Sequence, residues 1–174
     1  MAAITWPKAL AWVRIDEGGN DDDPHDHGGR TSRGITQREY DAWCHERGKS
    51  TCDVWHAPDA DIDAIYHGEY WNPWCDGLPI GTDYIFFDMS VNSGPHEATV
   101  LLQRALGVAD DGRMGPITRN ALAAAYQKKL ITGFSSEKRV FYRRISMKPG
   151  QRKFLQGWLN RTDAVERRAL TLLS

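Results

Sequence analysis

Thr5-Trp6-Pro7-Lys8-Ala9-Leu10-Ala11-Trp12-Val13-Arg14-Ile15-Asp16-Glu17-Gly18-Gly19 is the stretch on which the fold turns. Trp6, Leu10, Val13 and Glu17 recur at i, i+4, i+7 and i+11, so on a helix of 3.6 residues per turn they share one face. Thr5 stands where a cap is expected, Pro7 is tolerated in a first turn, and the glycine pair stops the helix. An acid that closes an apolar stripe is poorly solvated, which raises its pKa. That moves it toward the range a general acid uses near neutral pH. The two glycines remove bulk beside the carboxyl and leave room for a polymer to approach. The competing reading is a helix-end glutamate that simply extends into water. The macrodipole disfavours a carboxylate at that end by about 0.3–1 kcal/mol, which lends modest weight to the functional reading.

Nine residues on lies Asp26, inside Asp21-Asp22-Asp23-Pro24-His25-Asp26-His27-Gly28-Gly29. Cleaving a glycosidic bond takes an acid for the leaving oxygen and usually a second carboxylate on the nucleophilic side. Glu17 and Asp26 supply that pair across a cleft, with Asp23 the competitor for the second place. The same cluster offers ligands for Ca²⁺, or for Zn²⁺ through His25 and His27. It lacks the glycine at loop position 6 and the glutamate at position 12 of an EF-hand starting at Asp21, so no metal site is expected.

The surrounding chain sets the frame. Its 174 residues fit one domain or two small ones, and 41% hydrophobic with 26% charged residues describes a globular chain rather than a disordered one. No run approaches the ~18–20 apolar residues of a membrane span. Residues 1–13 lack the apolar core of a signal peptide, so secretion by that route is not expected. Cys44, Cys52 and Cys75 cannot all pair and match no zinc spacing, so neither a disulfide framework nor a structural metal is expected. Charge is unevenly spread: residues 1–96 hold 7 Lys and Arg against 17 Asp and Glu, and residues 97–174 hold 15 against 6. Either the basic part faces a polyanion or the two parts attract each other.

Helical signals dominate. Thr36 with Glu39 is a capping box that starts a helix running to about Arg47, with Gly48 as its stop. Pro58 and Asp59 open another helix, which carries Ile62 through Trp71 and closes at Asn72-Pro73. Tyr84 to Val91 is apolar without alternation and reads as a buried helix. Breakers then delimit helices near 96–106, 116–131, 136–147, 150–159 and 163–173. Residues 20–35 read as a turn-rich loop or short hairpin. The fold class is mainly α with a small β element.

Glu17-Gly18-Gly19, followed by Asp23-Pro24, Asp26, Gly28-Gly29, Thr31 and Gly34-Ile35-Thr36, resembles the signature of glycoside hydrolase family 108. Its members are N-acetylmuramidases, found as phage endolysins and as secretion-linked bacterial wall enzymes. Phe87-Asp88-Met89-Ser90-Val91-Asn92-Ser93-Gly94-Pro95 resembles the segment that closes the family's catalytic region. The resemblance implies a lysozyme-like helical catalytic domain over residues 1–95, with Glu17 as the residue on which activity depends. Likeness to the wider lysozyme group implies Asp26 as second carboxylate and a threonine after it; Thr31 is assigned the catalytic hydroxyl. Asn20 and His27 depart from the tyrosine and proline common in the family, which affects contacts beside the acid. Thr36, Asn92 and Trp71 are assigned to substrate, although Thr36 is more easily read as a helix cap, Asn92 equally well so, and large aromatics are more often core.

Leu101-Leu102-Gln103-Arg104-Ala105-Leu106-Gly107-Val108, then Asp111-Gly112, Gly115-Pro116 and Thr118, resembles a peptidoglycan-binding module, so 96–174 is expected to be a helical bundle of that kind. Together these features imply an endolysin that cuts the β-1,4 bond between N-acetylmuramic acid and N-acetylglucosamine. Its partner is the glycan strand; no nucleic acid, cofactor, metal or stable membrane insertion is expected, and a monomer suffices. It would wait in the host cytoplasm and act on the wall once the inner membrane is opened. A lytic transglycosylase, a secretion-associated muramidase and a non-catalytic wall-binding protein are the alternatives.

Overall fold

The computed structural model describes residues 2–17, 20–21, 30–72 and 74–174, with side chains for all of these except residues 2–4, 17, 20 and 21. The described helices are α1 (Ala2–Glu17), α2 (Gln37–Glu46), α3 (Asp59–Ile65), α4 (Thr82–Ser93), α5 (Pro95–Leu106), α6 (Pro116–Ala124), α7 (Gln127–Ser146) and α8 (Leu155–Thr171). A π-helical turn, Tyr66–Trp71, continues α3, and short 3₁₀ turns cover Val54–His56 and Arg152–Phe154. Three two-residue strands, β1 (Asn20–Asp21), β2 (Thr31–Ser32) and β3 (Ile35–Thr36), form an antiparallel sheet in that order. The fold is therefore mainly α with a small sheet, and no described helix is long and apolar enough to cross a membrane.

Two compact units divide the chain: Leu10–Asn72, and Met1–Ala9 with Pro73–Ser174. In the first, α2 starts on a complete capping box. Thr36 Oγ1 accepts from the Glu39 amide at 3.2 Å, and Glu39 Oε2 accepts from the Thr36 amide at 2.8 Å. Its core is Tyr40, Trp43, Val54, Ile62, Ile65, Tyr66 and Trp71, all buried.

In the second unit α4 is the central element. Every residue from Thr82 to Ser90 is buried, the carboxylates Asp83 and Asp88 among them. It packs against α5, α7 and α8, and α7 packs along α8. The loop between α5 and α6 is organised by one side chain. Gln103 is buried and its amide nitrogen donates to Asp111 Oδ1 (2.8 Å), the Arg113 carbonyl (3.0 Å) and Thr118 Oγ1 (3.0 Å), while its oxygen accepts from the Gly112 amide (2.9 Å). Gly112 has φ +71°, a conformation that favours glycine, and a Cβ there would lie 2.3 Å from Nε2 of exposed His96, whose ring would have to turn away.

Three expectations need correcting. Thr5 does not cap α1: the helix begins at Ala2, and Thr5 is buried and hydrogen-bonded to Asp83. Pro7 therefore sits inside the helix. Gly133 does not break α7, and the break falls at Ala125, whose extended ψ of 137° ends α6. The expected helices 150–159 and 163–173 are a 3₁₀ turn followed by the single helix α8.

Candidate active site

The apolar face read along α1 exists: Leu10 and Val13 are buried, and Trp6, half-buried, packs edge-on against Phe87 with ring centroids 5.5 Å apart. Glu17 is the last residue of the helix, and its side chain lies outside the described residues. One turn earlier, Arg14 pairs with Asp63 of α3 and donates to the Asp59 carbonyl at 3.4 Å. Burial pushes the Asp63 carboxyl up from its ordinary value, with Arg14 pulling the other way.

The sheet follows Glu17 directly in the chain. Its register pairs Asp21 with Thr31 and Thr31 with Thr36, so these three positions form one row across it. Thr31 holds the middle of that row and is half-buried. Asp23, His25, Asp26 and His27 belong to the β1–β2 connection and lie outside the described residues. The β2–β3 connection is a two-residue turn, Arg33-Gly34, with φ +52° and +81°, the signs a type I′ hairpin needs. Arg33 adopts this conformation as a non-glycine residue and is held by an ion pair to Asp59 and a 2.9 Å hydrogen bond to the Ala57 carbonyl.

Sequence reasoning missed the props of this sheet. The Trp55 indole donates to the Thr31 carbonyl at 3.0 Å, and Arg30 stacks over the Trp55 ring at 4.6 Å while pairing with Asp53. Gln37 donates to Asp41 (2.8 Å) and the Cys52 carbonyl (2.9 Å) and accepts from the Val54 amide (2.7 Å). The Tyr66 hydroxyl reaches the Arg33 carbonyl at 2.5 Å. Gly34 was the only local signal of the turn, because Arg33 carries no sequence mark of a positive φ.

The residues assigned to substrate fare differently. Thr36 uses its hydroxyl in the capping box and also donates to Glu39 Oε2 at 2.8 Å, so its placement is accounted for by the helix it starts. Trp71 is fully buried and has no free face for a sugar, so packing explains it. Asn92, exposed on α4 in the other unit, donates to the Asp88 carbonyl at 2.7 Å within its own helix.

The second unit holds a buried charge cluster. Asp88 of α4 is fully buried between Lys138 of α7, whose Nζ donates to Oδ2 at 2.5 Å, and Arg161 of α8, whose Nε donates to Oδ1 at 2.8 Å. Burial alone would raise the Asp88 carboxyl, but the two cations hold it below the usual carboxylate range.

Two family models match the chain: the glycosyl hydrolase 108 model over residues 10–94 and the predicted peptidoglycan domain model over residues 97–163. A solved structure of SagA from Brucella abortus is similar over 97% of this chain and 95% of that one, with 32% sequence identity and a TM-score of 0.81. No curated protein sequence matches.

Proposed function

Since the chain belongs to the glycosyl hydrolase 108 family, we propose that it hydrolyses the β-1,4 bond between N-acetylmuramic acid and N-acetylglucosamine in peptidoglycan. Glu17 protonates the leaving glycosidic oxygen, and Asp26 activates water or stabilises the positive charge that develops at the anomeric carbon. Thr31 orients the attacking water. The observation that carries this reading is the coincidence of the hydrolase-family match with a helix, α1, whose last residue is Glu17. A threonine at the centre of the following sheet supports it. The predicted peptidoglycan domain match over 97–163 supports peptidoglycan as the polymer, and in this reading residues 96–174 serve as its wall-binding part. In this reading the protein acts as a monomer without a cofactor, as a phage endolysin kept in the host cytoplasm until the inner membrane is opened.

Reducing-end analysis of digested murein tests the chemistry. The parent protein should release muramic acid reducing ends, and Glu17→Gln should lose at least ~100-fold in rate, in the range of lost acid–base catalysis, with its circular dichroism unchanged. Anhydro-muramic ends would instead identify a transglycosylase. Equal clearing of murein by parent and Glu17→Gln would remove Glu17 from the mechanism.

A further inference from the structure

A groove in the unit containing α4 is shaped for a ligand of its own. Trp74, Leu78 and Pro79, which precede α4, face Met114, Arg119 and Leu122 of the α6 region around a volume of about 320 Å³. Leu78 and Leu122 are nearly fully buried and make an apolar floor. Trp74 is half-buried, and among the described residues no hydrogen bond or ring contact engages its indole. The Arg119 Nε donates to the Met114 carbonyl at 3.2 Å, which pins the guanidinium at the rim. Its terminal nitrogens meet no carboxylate among the described residues. One of them stands 3.9 Å from where a Cβ on Gly77 would lie, so the cation spans the groove toward the opposite wall.

A single guanidinium over apolar walls selects a monoanion attached to small alkyl groups. Arginine binds a carboxylate through two parallel hydrogen bonds, and Trp74 with the leucines accommodates methyl groups beside it. The volume is at the small end of ligand pockets and suits one or two alanyl residues rather than a disaccharide. The surplus of Lys and Arg over residues 97–174 also favours an anionic partner. We propose that this groove binds the carboxylate-terminated, alanine-rich end of a peptidoglycan stem peptide. The identity of the peptide rests on the reading that peptidoglycan is the partner.

The test is calorimetric titration of the full chain with a synthetic stem pentapeptide ending in D-alanyl-D-alanine, and with its C-terminal carboxamide. The parent should bind the acid, and both Arg119→Gln and the carboxamide should weaken binding at least tenfold. Ala123→Phe, which fills the groove from α6, should abolish binding while Arg119 stays in place. Denaturation midpoints matching the parent's show that these losses are not misfolding. Hydrolysis of peptide-free glycan should be the same in parent and Arg119→Gln. No binding by the parent, equal binding of acid and carboxamide, or parent-like binding by Arg119→Gln would overturn the proposal. Failure of the parent to cut peptide-free glycan would instead overturn the hydrolase reading, with the groove's peptide binding standing on its own titration.

Discussion

Asp83, in the first turn of α4, shows how one side chain sets a pH response. Its Oδ1 accepts from the Gly81 and Tyr84 amides at 2.8 and 2.7 Å, and Thr5 adds a hydrogen bond, yet Oδ2 is buried with no partner. Burial outweighs these donors and pushes the carboxyl up to about 6. A folded-state pKa above the unfolded value means that Asp83 contributes stability in full below about pH 4 and loses it as pH rises through 6. The shift corresponds to about 3 kcal/mol. Asp83→Asn keeps the amide acceptor and removes the titration, so its melting temperature should change less than the parent's between pH 4 and 6.5. A parent with a flat profile over that window would contradict this. Thr5 explains why residue-level reading goes astray here. Its type suits a cap, but a partner 78 positions away in the chain claims its hydroxyl. The end of α1 was legible, because the glycine pair after Glu17 is a helix stop.

At the scale of elements, local chemistry was most readable where it is self-contained. The Thr36–Glu39 capping box is formed as the sequence pattern requires, with both reciprocal hydrogen bonds present. Thr36→Ala should cost about 1 kcal/mol, a fall of roughly 2–4 °C in melting temperature for a chain of this size. Thr36→Ser should restore most of it. A thermal scan of the three proteins checks this, and an Ala variant as stable as the parent would remove the cap's importance. Elements were misread where a neighbour overrides composition. Gly133 looks like a breaker, yet α7 runs through it and packs on α5, where a Cβ would meet Ala105 at an ordinary 3.7 Å. The real break at Ala125 has neither glycine nor proline to announce it. The π-helical turn after α3 was not anticipated either, although it holds a glycine, Gly68.

On the scale of the whole molecule, Asp88, Lys138 and Arg161 tie together three helices whose residues lie 50 and 73 positions apart. Only an indirect sign was legible, a lone carboxylate in the apolar run Phe86-Phe87-Asp88-Met89. The reversal of charge near residue 96 is partly used here, since an acid from the acidic stretch pairs with two cations from the basic one. Removing one partner of a buried ion pair leaves an uncompensated charge and costs about 3–5 kcal/mol. Asp88→Ala should therefore lower the denaturant midpoint sharply, and replacing all three residues with apolar ones of similar size should recover much of the loss. A midpoint unchanged in Asp88→Ala would show that the cluster is solvated. Because the cations depress the Asp88 pKa, its contribution is present above the ordinary carboxylate range and fades as acid protonates it. That is the opposite sign from Asp83.

The triad also bears on anyone who would transplant the cationic helices as a targeting cassette. Excised at residue 96, they would take Lys138 and Arg161 without their shared counter-ion and expose the greasy cradle that α4 fills. A portable version has to begin upstream of α4, and a chimaera that brings α4 along should stay soluble where the shorter one clumps.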